Sequence, residues 1–437
     1  MSTFSKPIIA LVVIALLAAA CATPTPAPTT AATTEAPTAI SSTIDCMGAK
    51  SGDTLTLMYQ WTGSEEVSAN KIFQPLVDAC GIKISAESTR DAAVLDTRVK
   101  STPPDILFWP SSSPVSLYQD KMVNMTTDGA DTANYASYWI DLGTFSNTLY
   151  AIPVKADIKS IIWYSPARFQ ALGYTVPTTF ADLQTLVDKM ATDGNVPWSM
   201  GFENGAATGW TGSDFIQDLL LTLQGPQYVL NIINGTTPYN DPGVVAAYQI
   251  YQKWASDPKY TVGGANGTLN TSFLNAIYLV FQPNPEAMMV KQSGFAGGEI
   301  ATQFPTLVYG TDYDFFAFPG IKGMQGGADW MMAFSSSNAA KAMVAYLTSA
   351  YGGKVWAQTG FDESPNKGAN GNYTDPQLIK KAAALASAQG FTPDLGDTLG
   401  EPFTSAEWTA IIQVVQGTDI ATALAPAAAA QKQITGK

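Results

Sequence analysis

TLTLMYQWTGSEEVSANKIFQPLVDACGIKISAESTRDAAVLDTRVKSTPPDILFWP, residues 54–110, reads as strand, helix, strand, helix, strand. Thr54–Trp61 alternates apolar and polar residues, as a half-buried strand does. Val67 to Cys80 follows with Phe73, Leu76, Val77 and Cys80 on one helical stripe, and Gly81 ends it. Ile82-Lys-Ile-Ser-Ala is the next strand, Asp91 to Lys100 a short helix, and Asp105-Ile-Leu-Phe-Trp109 an apolar strand stopped by Pro110. This alternation predicts an α/β fold, a mainly parallel sheet with helices on both faces.

Further along, Tyr150-Ala-Ile-Pro-Val and Ser160-Ile-Ile-Trp-Tyr164 read as strands, with Lys155-Ala-Asp157 between them. Thr179 caps a helix to about Met190, with Asp182 in its first turn. Pro197-Trp-Ser-Met-Gly, Ala287–Val290, Asp314–Phe318 and Asp329–Phe334 are expected strands. Helices are expected at Ser213–Leu223, Val244–Trp254, Thr271–Phe281 and Asn338 to about Trp356, then near 376–389, 405–416 and 419–433. The chain has no repeat at a period of 20–50 residues, which excludes solenoids and propellers.

Outward in the other direction, Lys6 precedes a short apolar run that ends in Ala18-Ala-Ala-Cys21. That run is about 13 residues, against roughly 20 for a membrane helix. Residues 1–20 therefore read as a secretory signal peptide. The residues before Cys21 resemble the bacterial lipobox, Leu-Ala-(Gly/Ala)-Cys, with Ala18 where Leu is commonest. The resemblance implies that the Cys21 thiol takes a diacylglycerol; the alternative is a chance cysteine after an ordinary signal peptide. Residues 21–47 begin in Thr, Pro and Ala, bury little and read as an extended stalk.

The remaining body is about 390 residues, enough for two domains. The full chain has a formal charge of -13, and loss of Lys6 with the signal lowers it to −14. Such a surface argues against nucleic acid, which rewards Lys and Arg. There is no histidine, which removes Ser-His-Asp and Cys-His catalysis and His-containing zinc sites. No cofactor or metal is expected, and the lack of a P-loop and of a Gly-x-Gly-x-x-Gly after a strand argues against a nucleotide site. With Cys21 lipidated, Cys46 and Cys80 are left to form a disulfide in an exported protein; two unpaired thiols are the alternative.

Several segments, taken in order, resemble the extracytoplasmic solute-binding proteins of ABC transporters, in the carbohydrate-binding group that includes maltose- and alpha-glucoside-binding proteins. Leu149-Tyr-Ala-Ile-Pro-Val-Lys-Ala-Asp-Ile-Lys-Ser-Ile-Ile-Trp-Tyr-Ser-Pro-Ala-Arg-Phe169 is similar to the family's crossover between lobes. Asp105–Pro110, Val176-Pro-Thr-Thr-Phe-Ala-Asp-Leu183, Glu286–Gly294 and Gly360-Phe-Asp-Glu-Ser-Pro-Asn-Lys367 resemble further family segments. The resemblance implies two lobes joined by a hinge, each a mainly parallel sheet flanked by helices, closing on ligand. Lobe 1 is expected at 48–154 plus 331–372, lobe 2 at 157–328 plus 375–437, and the hinge near 154–157, 329 and 373. It also implies a sugar or oligosaccharide ligand and a membrane permease with a separate ATPase. The protein is expected to be a monomer on the outer face of the bacterial cytoplasmic membrane, held there through the lipid anchor.

A sugar site needs aromatic planes to stack on and carboxylates to take hydrogen bonds, placed at the carboxyl ends of strands. Trp61 with Glu65 and Glu66, Trp109, Trp210 with Asp214, Phe295, Asp329 with Trp330, and Asp362 with Glu363 meet those terms. The bland readings are a Trp61 packed under the following helix, a first-turn helix charge at Asp214 and a plain surface loop at 362–366. Lys155 and Asp157 either bind ligand or pair at the hinge. A glycoside hydrolase would need one of the acid pairs as catalytic carboxylates, but adjacent acids usually point apart. Ser68–Lys71 and Ser364–Lys367 match Ser-x-x-Lys without the companion motifs of penicillin-recognising enzymes. The nearer rival is the same fold with a polyamine, amino acid or peptide as ligand.

Overall fold

The computed structural model describes residues 40, 42–62, 64–89 and 91–437. The expected signal peptide, Cys21 and most of the stalk lie outside the described residues. Ile44, Cys46 and Met47 already pack against the first hydrophobic core, so the folded body starts a few residues before 48. Cys46 and Cys80 form a disulfide that ties this leading segment to the end of the first helix, Ser64–Cys80.

In chain order the strands are β1 (Thr54–Tyr59), β2 (Lys83–Ser88), β3 (Ile106–Trp109), β4 (Thr144–Phe145), β5 (Thr148–Leu149), β6 (Ala151–Ile158), β7 (Ile161–Tyr164), β8 (Met289–Lys291), β9 (Asp314–Ala317), β10 (Met324–Ala333) and β11 (Phe391–Pro393). A six-stranded sheet runs β11-β10-β3-β1-β2, with β6 also paired to β10. Within it β1 pairs in parallel with β2 and β3, as the opening stretch predicts. β10 runs antiparallel to both β3 and β6.

The fold is α/β and two-lobed, but the second lobe's sheet differs from expectation. Its strands run β8-β7-β9 and every pairing is antiparallel. The expected strand at Pro197–Gly201 is reduced to single parallel bridges at Trp198, to Thr261 and Met289. Pro197 has no N–H to give to a ladder, which limits pairing there. The long helix expected at 338–356 is two, Asn338–Thr348 and Ala350–Thr359. Ser349 divides them: it leaves the helical region and its hydroxyl accepts from Gly352 N. Thr179 and Asp182 form a capping box at the start of Phe180–Thr192.

Two large cores hold the elements. The first packs Trp61, Phe73, Phe108 and Trp356 between the main sheet and its helices. The second packs Trp198, Phe215, Tyr251 and Trp254 on the other side of β7 and β8. No helix among the described residues is long and apolar enough to cross a membrane.

Candidate functional site

β6 and β10 pair antiparallel in the main sheet, packed on the first core, and their alternation builds the site. Val154, Ala156 and Ile158 are buried, whereas Lys155, Asp157 and Lys159 between them are only partly so. A strand sends alternate side chains to opposite faces, so these three charges share one face. Their register partners on β10 are Asp329 opposite Lys155 and Gly327 opposite Asp157, and Lys159 N donates to Gln325 O. Gly327 leaves the middle of this face open, with nothing within 4 Å of where a Cβ would stand.

At one end lies Lys155. Its ammonium is 3.5 Å from Asp329 and 3.4 Å from Asp362, over the Phe361 ring. Burial works against that charge, but Asp329, Asp362, Asp157 and Glu65 around it outweigh burial and hold its pKa above the ordinary lysine value. Asp329 is buried and its oxygens accept from Gln60 Nε2 at 3.0 Å and Trp61 Nε1 at 2.8 Å. Asp362 has a backbone φ of 50°, in the left-handed region that Asp tolerates better than most residues. Glu363 is wholly buried against Lys381, 2.8 Å away, and its carbonyl accepts from Ala156 N on β6.

At the other end lies Lys159, 2.8 Å from Asp394, 3.3 Å from Asp214 and 4.0 Å from Asp397. Gln325 Nε2 donates to Asp214 and Asp394 together. Lys159, Asp214, Asp394 and Asp397 line a cavity of about 250 Å³ with Trp210 and Trp408. Burial raises Asp214 to about 7 even though Lys159 and Lys291 pull it down. Asp394 titrates well below the usual range because Lys159 and a hydrogen bond with Asp214 overcome its burial, so the two carboxyls are pushed in opposite directions. Trp210 begins the helix Trp210–Leu223, and its ring meets Phe273 at 5.5 Å and Phe295 at 6.5 Å. Gly209 before it has φ 110°, and a Cβ there would stand 3.1 Å from Trp408, so glycine both sets the turn and lets the two tryptophans approach.

The structure brings Glu65, Asp329 and Asp362 together around Lys155, and Trp210, Asp214 and Phe295 at or beside the far end. Other expectations need correction. Trp61 is fully buried, with its ring against Tyr59, Phe73, Phe108, Trp356 and Phe361. It offers no plane to a ligand and acts through its N–H on Asp329. Trp330 points to the opposite face from Asp329, buried against Trp139 at 6.0 Å. Trp109 lies directly across from Trp330 at the end of β3 and is half-buried. Glu66 is held by the Tyr59 hydroxyl at 3.0 Å, and Glu363 is closed off from solvent. Lys159, Lys381, Asp394, Phe273 and Trp408 were missed by the sequence reading. No group of three or more His, Cys, Asp or Glu among the described residues is arranged to hold a metal ion.

Beneath the Lys159 end, Glu407 is buried and accepts from Ser213 Oγ at 2.9 Å and from the Tyr239 hydroxyl. Burial pushes its carboxyl up to about 8, against those two hydrogen bonds. A raised carboxyl favours the folded state while protonated, and that stability is lost as pH rises from the ordinary carboxylate range through the folded value. Asp214, raised to about 7, acts in the same direction. The melting temperature is therefore expected to fall between about pH 5.5 and pH 8.5. Glu407→Gln keeps an amide acceptor and cannot ionise, so it should flatten that fall in calorimetry; an unchanged profile would refute the assignment.

A model of the family described as bacterial extracellular solute-binding protein matches residues 63–354. The alpha-glucosides-binding periplasmic protein of Rhizobium meliloti is 31% identical over 392 residues, covering 84% of this chain and 84% of its own. The osmoprotective compounds-binding protein of Synechocystis is 28% identical over 386 residues, covering 85% of this chain and 91% of its own. Among solved structures, the bacterial solute receptor AcbH, described as preferring b-D-galactopyranose, superposes with a TM-score of 0.75 at 18% identity. That superposition spans 87% of this chain and 100% of AcbH, and at this identity it speaks for the fold.

Proposed function

The chain belongs to the bacterial extracellular solute-binding proteins, binding proteins and not enzymes, and from that premise we propose that it captures a sugar or oligosaccharide between its lobes and delivers it to an ABC permease. The permease and its ATPase are separate chains in this reading. The protein is a monomer held by a lipid on Cys21 to the outer face of the cytoplasmic membrane, at the end of a Thr/Pro stalk. The lobes divide at 154–157, 329 and 373, and ligand lies on the face that carries Lys155, Asp157 and Lys159.

One observation carries the sugar reading: carboxylates and lysines lie on a crossing-strand face beside an aromatic edge made by Trp210, Phe273 and Phe295. Stacking planes serve the C–H faces of a pyranose, and charged acceptors serve its hydroxyls. The Rhizobium relative's name supports an α-glucoside. The Synechocystis relative favours a second reading, a compact osmoprotective solute at the same site. A thermal-shift screen over glucose, galactose, maltose, sucrose, trehalose, raffinose, glucosylglycerol, spermidine and amino acids tests both. Ligand at 100 times its Kd stabilises by about 2.7 kcal/mol. Trp210→Ala is expected to weaken saccharide binding by about 3–10-fold, the worth of one stacking plane. If only spermidine or amino acids shift the transition, the sugar reading fails.

A further inference from the structure

Lys381 lies on the helix Pro376–Ser387, which touches both halves of the molecule. On one side Leu378 and Ala382 pack with Ala357, Ala369 and Tyr373. On the other, Lys380 bonds Asp314 at 2.7 Å, and Gln377 fills the space that a side chain at Gly297 would need. Between these contacts the Lys381 side chain, 5% exposed, reaches Glu363 at 2.8 Å and Asp362 at 3.6 Å. Its ammonium and Asp157 Oδ1 also flank Gly294: a Cβ there would stand 3.1 Å from one and 2.8 Å from the other.

We propose that Lys381 is a positioning residue for ligand binding, holding Asp157 on β6 and Asp362 on the neighbouring loop in a single arrangement at the site. This rests on the reading of that face as the ligand site. Asp157 and Asp362 repel one another, and burial together with Asp362 raises the Asp157 pKa. Lys381 and Lys155 oppose that repulsion, with Lys159 further along the strand. Glu363 adds a third acid, fully buried, which Lys381 keeps from rising further than about 7. The other groups facing this knot are Asp329 across β10 and the Tyr373 hydroxyl, which accepts from Ser364 N. A lysine is needed because the chemistry is one cation shared among three carboxylates from two segments. Gly294 is needed because any side chain there would part Asp157 from Lys381.

The test compares wild type, Lys381→Arg and Lys381→Met by titration calorimetry with maltose as the probe, at about pH 8 and pH 5.5. Without the cation the three acids face each other ionised at the higher pH and relax by protonation at the lower. Lys381→Met should therefore bind about 10-fold or more weakly at the higher pH, yet within about 3-fold of wild type at the lower. Lys381→Arg should stay within about 3-fold at both. An equal loss at both pH values, which lost packing would give, overturns the proposal, as does no loss at either. If wild type itself binds no maltose, the α-glucoside reading fails instead. The melting profiles of the same variants then decide: a larger drop for Lys381→Met at the higher pH supports the knot, and an equal drop overturns it.

Discussion

Asp329→Ala should lower the unfolding free energy by about 3–5 kcal/mol, the cost of removing one partner from a buried ionic group. Three donors depend on this carboxylate: Trp61 Nε1 at 2.8 Å, Gln60 Nε2 at 3.0 Å and the Lys155 ammonium at 3.5 Å. Trp61 is fully buried, so its N–H has no water to turn to. Lys155 would keep Asp362 at 3.4 Å, with Asp157 and Glu65 also acting on its charge. Asp329→Asn is the informative companion. It retains one acceptor oxygen but sets an amide donor against one of the three donors, so about 1–3 kcal/mol is expected. Urea denaturation measures both. A loss below about 1 kcal/mol for the alanine variant would mean that the carboxylate is dispensable to the crossing.

The second large effect is the disulfide. Cys46→Ser with Cys80→Ser opens a loop of sequence separation 34, and the chain-entropy account gives about 3–4 kcal/mol for a loop of that size. The bond fixes a leading segment that also packs Ile44, Met47 and Ala49 on the first core and gives Gly48 O to Asn338 Nδ2. Loss should therefore begin locally, with residues 42–50 exchanging their amides early while β1 stays protected. Hydrogen exchange and denaturant melts check the two parts separately. A double-serine variant as stable as wild type would remove the disulfide from the account of this fold.

Where side chains repeat along the chain, the sequence was readable. β1 and β2 follow from alternation, β3 from a short apolar run stopped by Pro110, and the Thr179 cap from the residue three places on. The antiparallel second sheet was not readable, because its three strands come from 161–164, 289–291 and 314–317, and nothing local states how they pair. The aromatic candidates divided for a similar reason. Trp61 and Trp210 both stand beside glycine and polar residues in the sequence. Only packing tells that one lies among five rings and the other at a cavity edge. Some missed residues had signals. Lys159 continues the two-residue spacing of Lys155 and Asp157. Lys381 sits in the stripe of Leu378, Ala382 and Leu385, where an unpaired charge would be costly. Asp394 caps the short helix Leu395–Leu399, taking Asp397 N, and no local pattern in the sequence marks either that helix or its second contact, with Lys159.

The pairing of β6 with β10 is regular from Gly326 to Asp329 and again from Trp330 onward, with the register slipping between them. Val154 is the extra residue opposite that slip. A bulge leaves its extra residue unpaired, interrupts the ladder there and bends the strand. The slip sits immediately beside the Asp329–Lys155 pair, so flexure and charge pairing meet at one rung. The molecule thus sets the one break in its β6–β10 pairing beside a buried ion pair, where no regular rung joins the two strands.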